Sequence, residues 1–215
     1  MSKLWASTDE ADWAAIHATY DNVAASLEEP LRSLEAWYRA ELPELLITQG
    51  HITQAQLSKL MQWKLAKGKW RPRLQAFVDA LDDAEVQAAS TKGFAAVNDG
   101  NVREAVAAIS ELKGVGPATA SAVLAAYSRS VAFMGDEALN AMTKAIGARQ
   151  YTLPHFVRFT EALRARATVL GGAWTPQALQ EALWLEATAS EATPKRKRSP
   201  AAATGSKKKT KKTAA

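Results

Sequence analysis

Cysteine is absent from the sequence, which excludes disulfides, thiolate zinc sites, iron–sulfur clusters and cysteine nucleophiles together. Histidine is scarce: His17, His51 and His155 stand far apart, at no spacing that ligates a metal, and each reads as a surface or packing residue. No run of about eighteen apolar residues occurs, and the opening MSKLWASTDEADW lacks the apolar core of a secretory signal. A soluble intracellular protein with no membrane partner is the expectation. Alternating apolar and polar residues between turn signals are missing too, so a β-sheet is not expected. Neither a Walker loop, a GxSxG elbow nor a paired-carboxylate signature appears.

What is present suffices for a folded body. The 215 residues are 47% hydrophobic and 23% charged, which fits one domain with an appendage. The net charge of +5 is unevenly shared. Of the 27 Lys and Arg, nine lie in residues 191–215, against one of the 22 acids, Glu191. Residues 1–190 therefore hold 18 basic and 21 acidic side chains, a net −3, and the tail holds +8. The isoelectric point of about 9.4 is a property of that tail. Its sequence, PKRKRSPAAATGSKKKTKKTAA, offers no aromatic or large aliphatic group to offset the entropy of ordering, and it reads as disordered. The KRKR and KKKTKK clusters fit either a signal for the nuclear import machinery or a polycationic arm for nucleic acid; a solubilising tail is the plainer alternative. A nuclear protein is the expectation.

The body reads as all-α, with about eight to ten short helices. Thr8 is placed to cap a helix carrying Trp13, Ile16, Tyr20, Val23 and Leu27, and Thr53 one carrying Leu57, Leu60, Met61 and Lys64. Asp99 precedes a third, Val102 to Leu112, and Thr175 with Pro176 opens the last.

One segment stands above composition: Glu111-Leu112-Lys113-Gly114-Val115-Gly116-Pro117-Ala118-Thr119-Ala120-Ser121-Ala122-Val123-Leu124. Two glycines one residue apart permit positive φ in a tight turn, with Leu112 and Val115 tucked inward to pin it. Pro117 suits the first turn of a new helix, and the small residues after it allow close packing on the preceding one. Backbone N–H groups beside a positive helix terminus then form a nest suited to a phosphate oxygen.

LKGVGPATASAVL resembles the helix-hairpin-helix motif, and most nearly that of the DNA glycosylase superfamily related to endonuclease III, where LPGVGxxTA is the common form. That family places a catalytic aspartate about twenty residues after the second glycine, and Asp136 stands at that interval from Gly116. The resemblance covers roughly residues 101–147. It implies a multi-helix glycosylase-type fold over residues 1–190. It further implies that the amides around Gly114 and Gly116, from Leu112 through Val115, grip one DNA phosphate, and that the carbonyls of Ser110, Leu112 and Val115 could hold a monovalent cation beneath it; Lys113 is an added phosphate contact or, on the plainer reading, an exposed lysine. No other cofactor is implied. The position of the family's nucleophilic lysine holds Ala118 here, so the implied enzyme is monofunctional and hydrolyses the base–sugar bond for base-excision repair. The neighbours of Asp136 depart from the family pattern: Glu137 adds negative potential beside it, and the plainer reading makes Asp136 only the N-cap of a helix from Glu137 to Ile146.

Between Lys59 and Arg73 lie six cations, Lys59, Lys64, Lys67, Lys69, Arg71 and Arg73, with no acid, interleaved with Trp63 and Trp70. Lys64, Lys67, Lys69, Arg71 and Arg73 suit phosphate contact, and the two rings could stack on bases. The plainer alternative, preferred for both tryptophans, puts the rings in the core. Three functions stay open: a glycosylase, a DNA-binding module without chemistry, and a protein-interaction domain. The last would set the basic face apart from the hairpin.

Overall fold

The computed structural model describes residues 2–172 and 174–192, and among these no strand occurs. The chain opens with α1 (Lys3–Ala6), α2 (Glu10–His17), α3 (Tyr20–Ser26) and α4 (Leu31–Ala36), followed by a π-helical stretch over Trp37–Glu41. Then come α5 (Leu42–Gln49), α6 (Gln54–Lys67), α7 (Pro72–Asp79), α8 (Asp83–Asn98), α9 (Val102–Ser110), α10 (Pro117–Tyr127), α11 (Asp136–Ala141), α12 (Thr143–Ile146), α13 (Leu153–Leu170) and α14 (Pro176–Ala192). The described residues thus hold fourteen α-helices, more and shorter than the eight to ten expected.

The caps explain most of the difference. Asp9, not Thr8, caps the helix bearing Trp13, accepting the Ala11 N–H at 3.0 Å. That helix stops at His17, so Tyr20 and Val23 belong to a separate one. Asn101 caps α9 through the Glu104 N–H, while Asp99 ends α8. Thr53 does cap α6, and Gln56 reaches back to its N–H in a reciprocal capping box. Thr175 accepts the Ala178 N–H at the start of α14.

Helix α10 lies at the centre. Every residue from Ala118 to Ala126 is buried, which an alanine-rich helix without a polar face requires. Its small side chains let α5, α6, α8, α9 and α13 all approach it. On α6 the apolar Leu57, Leu60, Met61 and Leu65 are buried, and so is Trp63. The Trp63 ring stacks on Tyr38 of the π-helical stretch with centroids 3.7 Å apart.

Candidate nucleic-acid interface

The turn between α9 and α10 combines two different glycines. Gly114 has φ +85, and a Cβ there would lie 2.7 Å from the Phe77 Cβ of α7, so both its conformation and its contact require glycine. Gly116, by contrast, has φ −102 in extended backbone with open space where a Cβ would go. The expectation that Gly116 needs positive φ is therefore corrected. It sits at the N-cap position of α10, with Pro117 as the first helical residue. Leu112 and Val115 are buried and pin the turn, and the Val115 N–H donates to the Leu112 carbonyl at 3.0 Å. The Gly114 and Gly116 N–H groups donate to no acceptor among the described residues.

Both glycines line a cleft of about 270 Å³. One wall is the end of α6 and the segment after it, contributing Lys64, Lys69 and Arg71; the other carries Phe133, Met134, Asp136, Glu137 and Tyr151. The second wall is positioned by two long-range hydrogen bonds that the sequence does not announce. Ser121 of α10 accepts the Met134 N–H, and Gln177 of α14 accepts the Phe133 N–H, each at 2.9 Å.

Asp136 is not an N-cap. Gly135 takes that place, Asp136 is the first residue of α11, and the expected helix to Ile146 is broken at Met142. The half-buried carboxylate accepts the Tyr151 hydroxyl at 2.5 Å on Oδ1 and pairs with Arg149 at 2.9 Å on Oδ2. Burial and the adjoining carboxylate push the Tyr151 hydroxyl up to about 12. Neither Tyr151 nor Arg149 was selected from sequence. They follow Asp136 on the loop between α12 and α13, and only the chain's return to the α11 N-terminus reveals them.

The basic segment divides. Lys64, Lys69 and Arg71 face the cleft, while Arg73 is exposed elsewhere and Lys113 lies over the Phe77 ring at 4.9 Å. Lys67 reaches the cleft edge, but its ammonium is buried against Glu35 at 2.8 Å, which removes it from the set expected to contact phosphate. Lys59 covers the Trp37 ring at 4.5 Å. The two tryptophans divide as well: Trp63 is core, whereas Trp70 is 56% exposed between Lys69 and Arg71, contrary to the preferred reading.

A second pocket of about 260 Å³ shares Lys67 and Phe133 with the cleft. Its walls include the rings of Tyr20, Tyr38, Trp63, Phe133 and Trp184. Its charges satisfy one another. Glu35 accepts from Tyr20, Trp63 and Lys67, and Glu181 receives His17 and Arg129, each at 3.1 Å, with Arg39 at 4.0 Å. Burial pushes both carboxyls up, but these partners bring them below the usual range. Burial, reinforced by Glu35, raises the Tyr20 and Tyr38 hydroxyls.

Among the described residues no cluster of acids and histidines could hold a metal ion, and no helix is long and apolar enough to cross a membrane. The tail expected to be disordered falls, from residue 193 onward, outside the described residues. Comparison of the chain with protein-family models, with curated proteins and with solved structures found no match.

Proposed function

We propose that this chain binds DNA along the cleft and hydrolyses the bond between an altered base and deoxyribose, as a monofunctional glycosylase of the helix-hairpin-helix type. The observation that carries the reading is a juxtaposition: the free amides of Gly114 and Gly116, the cations Lys64, Lys69 and Arg71, and the Asp136 carboxylate line one cleft. Residues more than sixty positions apart in sequence meet there.

Each part has a task. The paired amides at the head of α10 take a backbone phosphate, which fixes the register of the strand. Lys64, Lys69 and Arg71 neutralise neighbouring phosphates, and exposed Trp70 offers a face for a base. Asp136 activates water or stabilises the oxocarbenium-like sugar as the base departs. The aromatic walls of the second cavity accept the extruded base, which needs a pocket beside the sugar site. The Ser110, Leu112 and Val115 carbonyls are neutral oxygen donors suited to a monovalent cation, which would brace the turn; the Leu112 oxygen already accepting Val115 keeps a second lone pair. The basic tail adds nonspecific DNA affinity and directs the protein to a nucleus.

The test is incubation with duplexes carrying different altered bases, scored for abasic sites. Release from at least one duplex, lost in Asp136→Asn, is the expected result. Tight binding without release from any duplex would replace this reading with a DNA-binding module without chemistry. The Arg149 pair, which offsets the charge of Asp136, is the observation that favours that second reading.

A further inference from the structure

Both oxygens of Asp136 are held from one short loop. Oδ1 accepts the Tyr151 hydroxyl, and Oδ2 pairs with the Arg149 guanidinium at 2.9 Å. That loop, residues 147–152 between α12 and α13, is exposed throughout. Its ends are fixed: the Gly147 N–H donates to the Thr143 carbonyl, and the Thr152 hydroxyl accepts the His155 N–H. Between them, residues 148–151 make no backbone hydrogen bond among the described residues, so the polar ties of this stretch to the cleft wall are the two side chains on Asp136.

The two ties differ in kind. Tyr151 brings a neutral donor, whereas Arg149 brings a full positive charge. A guanidinium beside Asp136 works against the chemistry proposed for that carboxylate, because the sugar becomes cationic as the base leaves and a second cation there raises the barrier. The pair is also a weak one. Its side chains are 38% and 47% exposed, so water already screens most of the attraction. A phosphodiester accepts the same guanidinium fork through two oxygens, and the counterions released from the strand favour the exchange. Any strand that brings C1′ of a nucleotide to Asp136 also brings the phosphates of that nucleotide close to Arg149.

We propose that Arg149 changes partner on DNA binding: it covers Asp136 in the chain alone and swings onto a backbone phosphate once a strand is seated, which uncovers the carboxylate when a substrate is in place. This rests on the reading of the cleft as a DNA site. Tyr151 stays on Oδ1 and keeps the carboxylate aimed. The two arrangements differ in one contact, and the strand shifts the balance between them because it offers Arg149 a partner in one of them only.

The experiment uses the full chain and an undamaged duplex, since a phosphate contact does not depend on the base. Binding is measured by fluorescence anisotropy across a salt series for wild type, Arg149→Met and Arg149→Lys, with folds checked by circular dichroism. Arg149→Met should weaken binding and make the log–log salt slope shallower by about 0.9, the loss of one phosphate contact, while Arg149→Lys keeps the wild-type slope. Arg149→Gln makes the same comparison if the Met variant does not fold. An unchanged slope means that the guanidinium remains on Asp136 in the complex, and it overturns the inference. A slope equally shallow in Arg149→Lys, where the charge is kept, would trace the change to the fold of the loop and overturn it too. On a duplex that yields base release, the lower kcat/KM of Arg149→Met should come from KM; a raised kcat would show Arg149 covering Asp136 throughout the reaction, against the inference. The shallower slope without base release from any altered duplex supports the exchange and removes the glycosylase reading. No binding to duplex DNA at all overturns both.

Discussion

The two cavities meet at Lys67 and Phe133 but solve opposite problems. In the aromatic pocket, every charge has a partner: Lys67 with Glu35, and Arg39, Arg129 and His17 around Glu181. In the cleft beside the glycine turn, the Lys64 ammonium and the Gly114 and Gly116 amides go without partners among the described residues. A paired buried network fixes shape, because breaking any member strands another charge away from water. Unpaired donors around an open cleft lose little to solvent and remain available to an anion. The contrast leaves unpaired donors in the first cleft and a charge network fixed by its own pairs in the second pocket.

The largest expected effect concerns the cleft alone. Asp136→Asn removes the charge and keeps the shape, so base release should fall by ~10²–10⁴-fold, the range for loss of a positioned acid or base. DNA binding, measured by fluorescence anisotropy, should be retained or tighter. Loss of the partly exposed Arg149 pair should cost at most about 1 kcal/mol of stability.

The aromatic pocket should respond in stability instead. Glu35→Gln leaves Lys67, whose side chain is 8% exposed, without its counter-charge, and should destabilise by about 3–5 kcal/mol in urea denaturation. The double variant Glu35→Gln, Lys67→Met should recover most of that loss. A single Glu35→Gln variant as stable as wild type would erase the distinction between the cavities. The sign with pH follows from Glu35 and Glu181: their carboxyls lie below the usual 4.5 when folded, so their contribution is present above that pH and is lost as pH falls through the folded values.

The turn supplies a smaller, internal contrast. Gly114→Ala meets Phe77 and an unfavourable φ, and should cost about 1–3 kcal/mol. Gly116→Ala meets neither, and should stay within about 0.5 kcal/mol in stability. If the amide nest binds phosphate, both should weaken DNA binding. Equal binding by a folded Gly116→Ala variant would confine the nest to Gly114.

Tyr151 offers a spectroscopic readout of the Asp136 site. Its ultraviolet titration should have a midpoint near 12, and Asp136→Asn should lower it without returning it fully to the ordinary tyrosine value of 10.0, since burial is the larger cause. A raised hydroxyl contributes stability below about 10 that disappears as pH rises toward 12. The smallest effect belongs to the tail: removing residues 193–215 should make DNA binding less salt-dependent, with the log–log slope shallower by roughly 0.9 for each phosphate that the tail would have neutralised.

Local signals fixed the parts that depend on neighbours in sequence. The all-helical class, the Thr53 capping box, the Thr175 start and the buried Leu112 and Val115 of the turn follow from periodicity and from which backbone groups a helix end leaves unpaired. Asp136 is singled out by its interval from Gly116, but its partners Tyr151 and Arg149 cannot be, because a loop's return path has no period. Lys64 and Lys67 are indistinguishable in a basic run, as are Trp63 and Trp70 in an aromatic one. What separates Lys67 from Lys64 is Glu35, thirty-two residues before Lys67, and what separates Trp63 from Trp70 is the stacked Tyr38 against an exposed segment after Gly68. Only the tertiary structure decides those roles, since the charge and ring that settle them are brought together by helix packing rather than by spacing along the chain.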